Sequence, residues 1–412
     1  MAVRVLFTTM YIVVVRERYD WSEPMSMGRP PIGKGRGKPV ADLSAPSSGI
    51  GSLSEHFSAE RSAAAKLANS SPTMQDVARL AGASVKTVSN VLSGYEHVSE
   101  NMRDRVMSAV SELHYEINVS ARNLRSGRTW VLGLAVPELS QAYFAELADS
   151  VIRAAGEKGY TVLIEQTVSG GASEISAIAT MRKHSIDGLI YSPLTLGPDD
   201  LRQLDIDLPL VVLGERLPGS SVHYVTMSNA QAMREATEHL LSLGRRRVAV
   251  IGAHPDGPVG TGASRLRGYH DALMNAGLQP DPRLIMSAAL WHRSYGVEAM
   301  DRLLASGVDF DAVVCFNDAL ALGAMRSLQR NGKRIPDDVA VVGFDDIEDS
   351  SFSMPTLTTV SPKRDEIART AVSMLAAMIE GTSDSEPAQL VETGFSLVVR
   401  ESTTGIPPVQ TG

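Results

Sequence analysis

The sequence contains one cysteine, Cys315, among its 412 residues. A single thiol cannot form a disulfide within the chain, and it excludes a zinc site built from cysteines and a Cys-x-x-Cys redox centre. The sequence also lacks a Gly-x-Ser-x-Gly elbow and a His-Glu-x-x-His pair. We therefore expect no enzyme activity, no metal site and no cofactor. Cys315 ends an apolar stretch, which favours a buried structural thiol in a cytoplasmic protein.

Long hydrophobic runs are also missing. The mostly apolar stretch from Val3 to Val15 is shorter than the roughly 20 residues that cross a bilayer, and no small-x-small cleavage site follows it. From Ser22 to Pro72, 23 of 51 residues are Ser, Pro or Gly. A segment of this composition cannot bury enough apolar surface to offset the conformational entropy that is lost when the chain becomes ordered. We expect residues 1–72 to be a disordered extension, with no membrane contact.

Negative charge dominates only part of the chain. Residues 1–129 carry 16 Lys and Arg against 12 Asp and Glu, whereas residues 130–412 carry 23 against 35. The net charge of −8 therefore conceals a slightly basic first third. Because a strongly acidic surface repels DNA, any DNA-binding surface must lie in that first third.

Three short helices are predicted after this extension. Thr73 is expected to cap a helix from Met74 to Leu80, Ser84 a second from Val85 to Leu92, and Ser99 a third from Glu100 to Leu113. Gly82 lies in the first turn. The pattern is typical of a helix-turn-helix with a supporting helix.

The second helix carries side chains suited to reading DNA. Lys86 can donate to guanine, and Asn90 can pair with adenine in two places. Ser84, Thr87 and Ser89 have the size to contact phosphates or thymine methyl groups. Spacing alone equally allows a three-helix cap whose polar faces are merely solvated.

Beyond Trp130, short apolar strands alternate with amphipathic helices, which is typical of parallel sheets with crossover helices. This region has about 270 residues, which is more than one doubly wound domain usually contains, so we expect two lobes with a cleft between them. The predicted strands are Val131–Val136, Thr161–Glu165, Gly188–Tyr191, Leu210–Leu213, Arg247–Ile251, Ala312–Cys315, Val339–Gly343 and Phe395–Val399.

The run from Met74 to Gly94, followed by Val98-Ser-Glu and by Asn118 to Arg125, resembles the DNA-binding headpiece of the lactose/galactose repressor (LacI/GalR) family. The resemblance implies base readout by Val85 and Lys86. It also implies contacts to bases or phosphates from Ser84, Ser89, Asn90, His97, Ser99 and Tyr115.

The resemblance further implies that Asn118 to Arg125 form a hinge helix, which folds on the operator and inserts Leu124 into the minor groove. Three arginines and no acidic residue lie between Ile117 and Trp130, as a minor-groove wedge requires. An exposed linker whose leucine packs on the core is the alternative. Ile117 departs from the proline usual in the family. The expected DNA-binding residues are Ser84, Val85, Lys86, Thr87, Ser89, Asn90, His97, Ser99, Tyr115, Asn118, Ala121 and Leu124.

The resemblance continues through the remainder of the chain, which is similar to the core that these repressors share with periplasmic sugar-binding proteins. Arg267 offers a fork of donors, Asp345 accepts paired hydroxyls, Asn317 does both, and Trp291 presents a flat apolar face. Each polar residue alone could instead form an ion pair or a helix cap. The resemblance places all four in an effector cleft, opposite Pro137, Tyr143 and Phe144.

The expected fold is α/β, with an all-α helix-turn-helix headpiece and a two-lobed core of parallel sheets with flanking helices. The expected function is that of a cytoplasmic, nucleoid-associated, dimeric repressor that binds near-palindromic operator DNA under control of a sugar-like effector. A solute-binding protein without DNA function and a purine-responsive regulator are the alternatives. The expected boundaries are 73–116 for the headpiece, 117–129 for the hinge, 130–227 with 361–385 for the first lobe, 228–360 with 386–403 for the second lobe, and 404–412 for the tail.

Overall fold

The computed structural model describes residues 12–13, 72–92, 95, 97–115, 128–167, 178–181, 183–194, 207–215, 222–253, 260–382 and 387–405. The chain divides into two compact units, residues 17–127 and residues 1–16 with 128–412. Within the described ranges, no helix has the length and apolar character needed to cross a membrane.

The first unit contains the three expected helices, α1 (Met74–Ala81), α2 (Val85–Leu92) and α3 (Glu100–Glu112). The Thr73 hydroxyl accepts from the Asp76 amide, and the Asp76 carboxylate accepts from the Thr73 amide, which forms a capping box. Gly82 ends α1 in the left-handed region, with φ of 59°. A Cβ there would lie 2.5 Å from the Arg105 guanidinium, which donates to the carbonyls of Ala81 and Gly82.

The three helices enclose a small apolar core. Val77 from α1, Val88 from α2 and Val106 from α3 are fully buried at its centre. Ser99 precedes α3 as expected, but its side chain makes no capping hydrogen bond, so the prediction of a side-chain cap is wrong there. Its backbone carbonyl accepts from the Arg103 amide instead, which begins the helix without the hydroxyl.

The second unit contains two sheets. In the described residues, the first has the order β1-β3-β2-β4-β5-β6-β12 and the second β13-β11-β10-β9-β7-β8. Neighbouring strands are parallel except at the pairs β1–β3 and β11–β13. The strands are β1 (Ile12–Val13), β2 (Val131–Val136), β3 (Thr161–Gln166), β4 (Gly188–Tyr191), β5 (Leu210–Leu213), β6 (His223–Met227), β7 (Val248–Ala253), β8 (Ile285–Ser287), β9 (Ala312–Cys315), β10 (Ala340–Phe344), β11 (Thr358–Ser361), β12 (Leu390–Thr393) and β13 (Ser396–Val398).

Helices pack on the faces of both sheets, which gives the two-lobed α/β core that the sequence predicts. Helices α5 and α6 approach closely because Gly268 lacks a side chain; a Cβ there would lie 2.0 Å from the Ala230 carbonyl oxygen. The helices of this unit whose bounds the structure describes are α4 (Ala142–Glu157), α5 (Asn229–Ser242), α6 (Thr261–Asn275), α7 (Arg293–Ala305), α8 (Asp318–Arg330), α9 (Glu348–Phe352), α10 (Arg364–Ile379) and α11 (Glu401–Thr404), with a 3₁₀ turn at Pro282–Leu284.

The chain crosses between the lobes after Met227 and after Ser361, where the sequence predicts crossings. The third crossing differs from the prediction at Glu386. Strand β12 pairs with β6 in the first sheet, with Val391 opposite Val225, so the chain crosses only after Thr393. Residues 387–393 therefore belong to the first lobe, because their backbone completes the edge of its sheet.

Two residues of the extension expected to be disordered, Ile12–Val13, pair antiparallel with β3 at the other edge of the first sheet. Strands β6, β8, β11 and β12 are absent from the sequence prediction. Strand β11 is buried although three of its four residues are Thr or Ser, a composition that hides a core strand from a search for apolar runs.

Candidate DNA-reading and effector-binding sites

Helix α2 begins with the polar residues expected to face DNA. The Ser84 hydroxyl accepts from the Thr87 amide at 3.0 Å and lies 2.8 Å from the Thr87 hydroxyl, so Ser84 caps the helix as predicted. Lys86 is exposed on the opposite side from Val88 and Val91, which are buried. The start of α2 is thus fixed by its cap and its core face, and the lysine remains available to a partner.

The other expected DNA contacts fall into two groups. Ser89 and Asn90 are half-buried on α2, and His97 and Ser99 are exposed beyond it, with the His97 ring 5.3 Å from that of Tyr95. Val85 and Tyr115 instead pack against the headpiece core, and Tyr115 is only 8% exposed. The hinge residues Asn118, Ala121 and Leu124 lie outside the described residues, so their role stays a prediction.

The second unit contains a cavity of about 250 Å³ between its lobes. The carboxyl end of β2 and the start of α4 form one wall, and the starts of α7 and α8 with the end of β10 form the other. Ligands of doubly wound folds bind at the carboxyl ends of the strands. The lining residues are Glu138, Ser140, Gln141, Ala142, Tyr143, His292, Arg293, Ser294, Asn317, Ala319, Asp345 and Ile347.

The guanidinium beside this cavity belongs to Arg265, whereas the sequence prediction names Arg267. Arg267 is exposed and donates to the Ser264 hydroxyl at 2.9 Å. Arg265 is buried, and its Nη2 lies 4.0 Å from the Asp345 carboxylate. Two positions on a helix differ by about 200°, so only one of these arginines can face the sheet. The assignment of Arg267 to the cleft is therefore wrong.

Asp345 lies at the carboxyl end of β10, as expected, and is 6% exposed. Its φ of 117° falls in a region that L-residues rarely adopt, although Asp and Asn tolerate positive φ better than most residues. Burial raises the pKa of its carboxyl well above the usual value, against the opposing effect of Arg265. A buried carboxylate held beside a guanidinium is a suitable acceptor for paired hydroxyls.

Tyr143 faces these two charged groups from the first lobe. Burial, together with the nearby Asp345 carboxylate, raises the pKa of its phenol to about 12. The phenol therefore remains a neutral hydrogen-bond donor at physiological pH. Its ring contacts that of Phe144 edge to face at 5.2 Å, and Phe144 packs against the first-lobe core. Pro137 is buried where β2 ends.

Asn317 lines the second-lobe wall of the cavity and is hydrogen-bonded to the backbone of Trp291. The Trp291 indole donates to the Gly252 carbonyl at 3.1 Å, and its ring meets Phe316 edge to face at 5.7 Å. Asn317 caps α8 by accepting from the Leu320 amide at 2.9 Å, and it donates to the Trp291 carbonyl at 3.0 Å. Asn317 lines the cavity as expected, but its amide already serves as a helix cap.

Two further polar residues join the lobes beside Arg265, and the sequence prediction omits both. The Asn229 amide donates to Glu215 Oε1 at 3.0 Å, and its oxygen accepts from Arg265 Nε at 2.9 Å. Glu215 follows β5 in the first lobe, whereas Asn229 begins α5 in the second. Their position in the sequence is the signal that could have identified them, because Glu215 follows the predicted strand β5 and Asn229 follows the buried strand β6.

A separate contact bridges the lobes at the cavity wall. His292 Nε2 lies 2.8 Å from Glu138 Oε2, and the other Glu138 oxygen accepts from the Ser140 hydroxyl at 2.5 Å. Hydrogen bonds from Ser140, Gln141 and His292 lower the pKa of Glu138 despite the opposing effect of burial. This pair, which the sequence prediction also omits, stabilises the lobe arrangement seen here.

A larger depression, of about 680 Å³, lies outside the cleft between α4 and α10. Its charged side chains pair with each other: Arg153 contacts Asp365 at 2.7 Å, and Arg364 contacts Glu146 at 2.6 Å. The charged groups of this depression thus satisfy one another, whereas the smaller cavity is lined by the buried polar residues Asn317 and Asp345. We place the candidate effector site in the smaller cavity for that reason.

Cys315 is buried in the second-lobe core, at the end of β9. Burial raises the pKa of its thiol, which agrees with the predicted structural role and not with a nucleophile.

Comparisons with known proteins identify both units. Residues 73–118 match the family model described as bacterial regulatory proteins, lacI family, and residues 237–403 match a periplasmic binding protein-like domain. The chain is 35% identical to the HTH-type transcriptional regulator AscG of Escherichia coli (strain K12), over 76% of this chain and 94% of that protein. It is 36% identical to the HTH-type transcriptional regulator CelR of Thermobifida fusca, over 80% and 98%.

Solved structures give the same result. A LacI-family transcriptional regulator from Sanguibacter keddieii DSM 10542 has 49% sequence identity and a TM-score of 0.63, over 68% of this chain and 100% of that one. The lac repressor dimer bound to operator and the anti-inducer ONPF has 28% identity and a TM-score of 0.71, over 81% and 99%.

Proposed function

Because the chain belongs to the LacI family of transcriptional regulators, we propose that it is a repressor whose operator affinity is set by a small sugar-like effector. The resemblance noted in the sequence is thereby confirmed, and the relatives are transcriptional regulators, not enzymes. The observation that carries the proposal is the polar cluster of Arg265, Asp345 and Asn229 beside a cavity between the lobes.

The cavity supports a hydroxyl-rich effector. Asp345 can accept from neighbouring hydroxyls, and Tyr143 can donate. The Trp291 ring, whose centre lies 5.4 Å from the guanidinium carbon of Arg265, is the aromatic surface that we propose for stacking a sugar ring. A solved relative with 32% identity is described as a transcriptional regulator CelR-cellobiose complex, which gives a sugar precedent. A purine remains the second effector class to be tested, since an aromatic wall also suits a flat base.

The headpiece supports sequence-specific DNA binding. Its second helix presents Lys86 to the exterior at a capped, ordered start, as direct readout in the major groove requires. The proposal includes a homodimer on a near-palindromic operator, with Leu124 as a minor-groove wedge in the hinge. The lac repressor dimer on its operator is the structural precedent.

Linkage connects the two sites. An effector that binds one arrangement of the lobes more tightly than another changes operator affinity by the same coupling free energy. The Glu138–His292 contact and the Glu215–Asn229–Arg265 chain are broken or remade when the lobes rotate, because each joins residues of different lobes. We place this regulator in the cytoplasm, associated with the nucleoid, and we propose no metal or cofactor.

Selection of bound duplexes from a random DNA pool at physiological salt tests the proposal. A palindromic motif whose enrichment is abolished or strengthened by one sugar supports it and identifies the effector. A response to a purine instead would reassign the effector class. No enriched motif, with saturable sugar binding still measurable, would favour a solute-binding protein without DNA function.

A matched pair of variants sharpens this selection. Lys86→Ala should change the preferred half-site, since it removes a base contact. Leu124→Ala should weaken specific binding but leave nonspecific affinity and its salt slope nearly unchanged. Identical half-sites for Lys86→Ala and the parent chain would contradict the proposed reading helix.

A further inference from the structure

The residues that lead into strand β2 are held to the first lobe by the carboxylate of Asp187. Its Oδ1 accepts from the Thr129 amide at 2.7 Å and from the Thr129 hydroxyl at 2.8 Å, and its Oδ2 accepts from the Trp130 amide at 2.7 Å. The Asp187 amide in turn donates to the Val131 carbonyl at 2.8 Å. Hydrogen bonds to a carboxylate are stronger than those between neutral groups, so these contacts fix the backbone of Thr129 and Trp130. We call these two residues and Asp187 the entry clamp.

Two neighbouring contacts secure the entry clamp. Arg128 Nη2 donates to the Ile379 carbonyl at 2.9 Å, at the carboxyl end of α10, where helix carbonyls lack partners within the helix and attract cations. The Trp130 ring packs against the first-lobe core, with its centre 5.2 Å from that of Tyr160. The φ of Trp130 is 59°, a conformation that a bulky L-residue keeps only where its surroundings impose it. The entry clamp is therefore a fixed part of the first lobe.

The second lobe contains an equivalent clamp. Asp311 comes directly before β9, as the carboxylate of the entry clamp comes directly before β4. It accepts from the Arg246 and Arg247 amides at distances between 3.0 and 3.2 Å, and its own amide donates to the Arg247 carbonyl at 3.1 Å. In the second lobe the chain before the clamp is α5, a helix of the same lobe. In the first lobe the clamp stands where the hinge joins the core, because the two compact units divide between Gly127 and Arg128.

Strand β2 connects the entry clamp to the effector cavity. It begins at Val131, directly after the clamp, and ends at Val136, two residues before Glu138 in the cavity wall. Five of its six residues are buried, and it lies between β3 and β4 in the sheet. A strand of this length spans about 20 Å at roughly 3.3 Å per residue. The clamp and the cavity wall therefore lie at opposite ends of one packed element, of the kind that carries coupling between distant sites.

Resting on the regulator proposed above, we infer that Asp187 is a positioning residue for regulation. Its clamp joins the hinge to the first lobe, so that a movement of the lobe on effector binding reaches the headpiece. Without the clamp, the chain pivots at residues 129–130 and absorbs the movement of the lobe there. The effector and DNA sites each stay intact, but the coupling free energy between them falls.

Asp187→Asn tests this role, because it keeps the size of the side chain and removes its charge. The Asn oxygen can accept from one backbone amide, but its NH₂ group cannot accept from the other. The dissociation constant of the duplex enriched by the selection is measured by fluorescence anisotropy, with and without D-glucose, D-galactose, cellobiose or guanine. The parent chain should respond to one of these ligands by roughly 5- to 150-fold, the usual range of coupling, whereas Asp187→Asn should respond by less than about threefold.

The same coupling can be measured without an effector, because it is reciprocal. Binding of the selected duplex should change amide hydrogen exchange at the start of α4, which forms part of the cavity wall. We expect this change in the parent chain and not in Asp187→Asn.

Asp311→Asn is the matched control, since it weakens the equivalent clamp in the second lobe. Both variants should lower the free energy of unfolding in urea by similar amounts, because each leaves a backbone amide without its acceptor. Asp311→Asn should nevertheless keep the response of the parent chain. Isothermal titration should show unchanged ligand affinity for both variants, since neither residue lines the cavity. Thr129→Val removes one of the three hydrogen bonds to Asp187 and should give an intermediate response, which keeps the test valid if Asp187→Asn does not fold.

Three results would overturn the inference while leaving the proposed regulator in place. Asp187→Asn could keep the parent response, Asp311→Asn could lose it equally, or the duplex could change exchange at α4 as strongly in Asp187→Asn as in the parent chain. Failure of the regulator is recognised separately, by a DNA selection that enriches no motif, and the inference then falls with it.

Discussion

In the headpiece, the side-chain hydrogen bonds at the starts of the first two helices join close neighbours, as between Thr73 and Asp76 or Ser84 and Thr87. In the cleft, Arg265 contacts residues 36 and 51 positions away. Those headpiece side chains are partly or fully exposed, whereas Arg265, Asn229 and Asp345 in the cleft are buried. Loss of a polar group in the headpiece should therefore affect one helix, and loss of one in the cleft should affect a whole lobe, because buried polar partners are left unsatisfied.

The largest expected effect comes from Arg265→Met. The substitution leaves Asp345 as a buried carboxylate without its cation and Asn229 without a donor, so the free energy of unfolding of the core should fall by about 3–5 kcal/mol. Urea denaturation followed by circular dichroism measures this change.

Arg267→Met is the matched control two positions away. Its exposed guanidinium contacts only Ser264 among the described side chains, and the expected change is within about 0.5 kcal/mol. Equal losses for the two variants would show that the cleft does not depend on the buried arginine.

A smaller and more local effect is expected in the headpiece. Thr73→Ala removes the capping box of α1 and should destabilise the headpiece by about 1 kcal/mol. Hydrogen exchange should speed up in α1 and remain unchanged in β9 of the core. Thr73→Ser should restore protection, since serine caps as well as threonine; a failure of Thr73→Ser to restore it would assign the effect to packing.

The Glu138–His292 contact between the lobes is a cleft contact that should contribute little to the free energy of unfolding. Glu138 and His292 are 27% and 30% exposed at their side chains, so Glu138→Ala should cost only about 0.2–1 kcal/mol. Exchange should increase at the start of α7, because the lobes separate more often. Glu238→Ala, which removes an ion pair within α5, is the control and should leave α7 unaffected.

The smallest effect is expected at Glu165, a 4% exposed residue of β3 whose Oε2 has no hydrogen-bond partner among the residues that the structure describes. Burial raises the pKa of its carboxyl above the unfolded value. A raised pKa means that the folded chain binds the proton more tightly, so this contribution to stability is full below the unfolded pKa and disappears as pH rises through the raised value.

Glu165→Gln should therefore leave the melting temperature nearly unchanged at pH 4 and raise it by no more than about 2 °C at pH 7. Thermal unfolding at the two pH values measures the difference. A parent chain that becomes more stable than the variant on going from pH 4 to pH 7 would contradict the assigned direction.

The difference between the two regions also explains how much the sequence could predict. The start of each headpiece helix and strands β2, β4, β5 and β9 were correctly predicted, because their signals are short-range: a capping residue or an apolar run. The family resemblance also named Asp345 and Tyr143, which line the cavity, and Trp291, which lies near the Arg265 guanidinium. Their contact with an effector stays a prediction.

Where the sequence misled, the cause was tertiary packing. The choice between Arg265 and Arg267 depends on which face of α6 packs on the sheet. Because both arginines lie in the same segment of the sequence, the sequence alone does not distinguish them. Strand β11 was not predicted because its hydroxyl-bearing residues interrupt the apolar pattern of a core strand. Distant partners satisfy these hydroxyls: Thr359 donates to Asp318, and the Thr358 hydroxyl lies 2.8 Å from that of Thr403.

The late third crossing between the lobes has a consequence for how the core can be divided. The first sheet takes its edge strand β12 from residues that follow the whole second lobe in sequence. No uninterrupted fragment of the chain can therefore contain one complete lobe without also carrying part of the other. A truncation just before Leu390 would strip an edge from the lobe that begins at residue 130, and synthesis must reach Thr393 before either sheet can be finished.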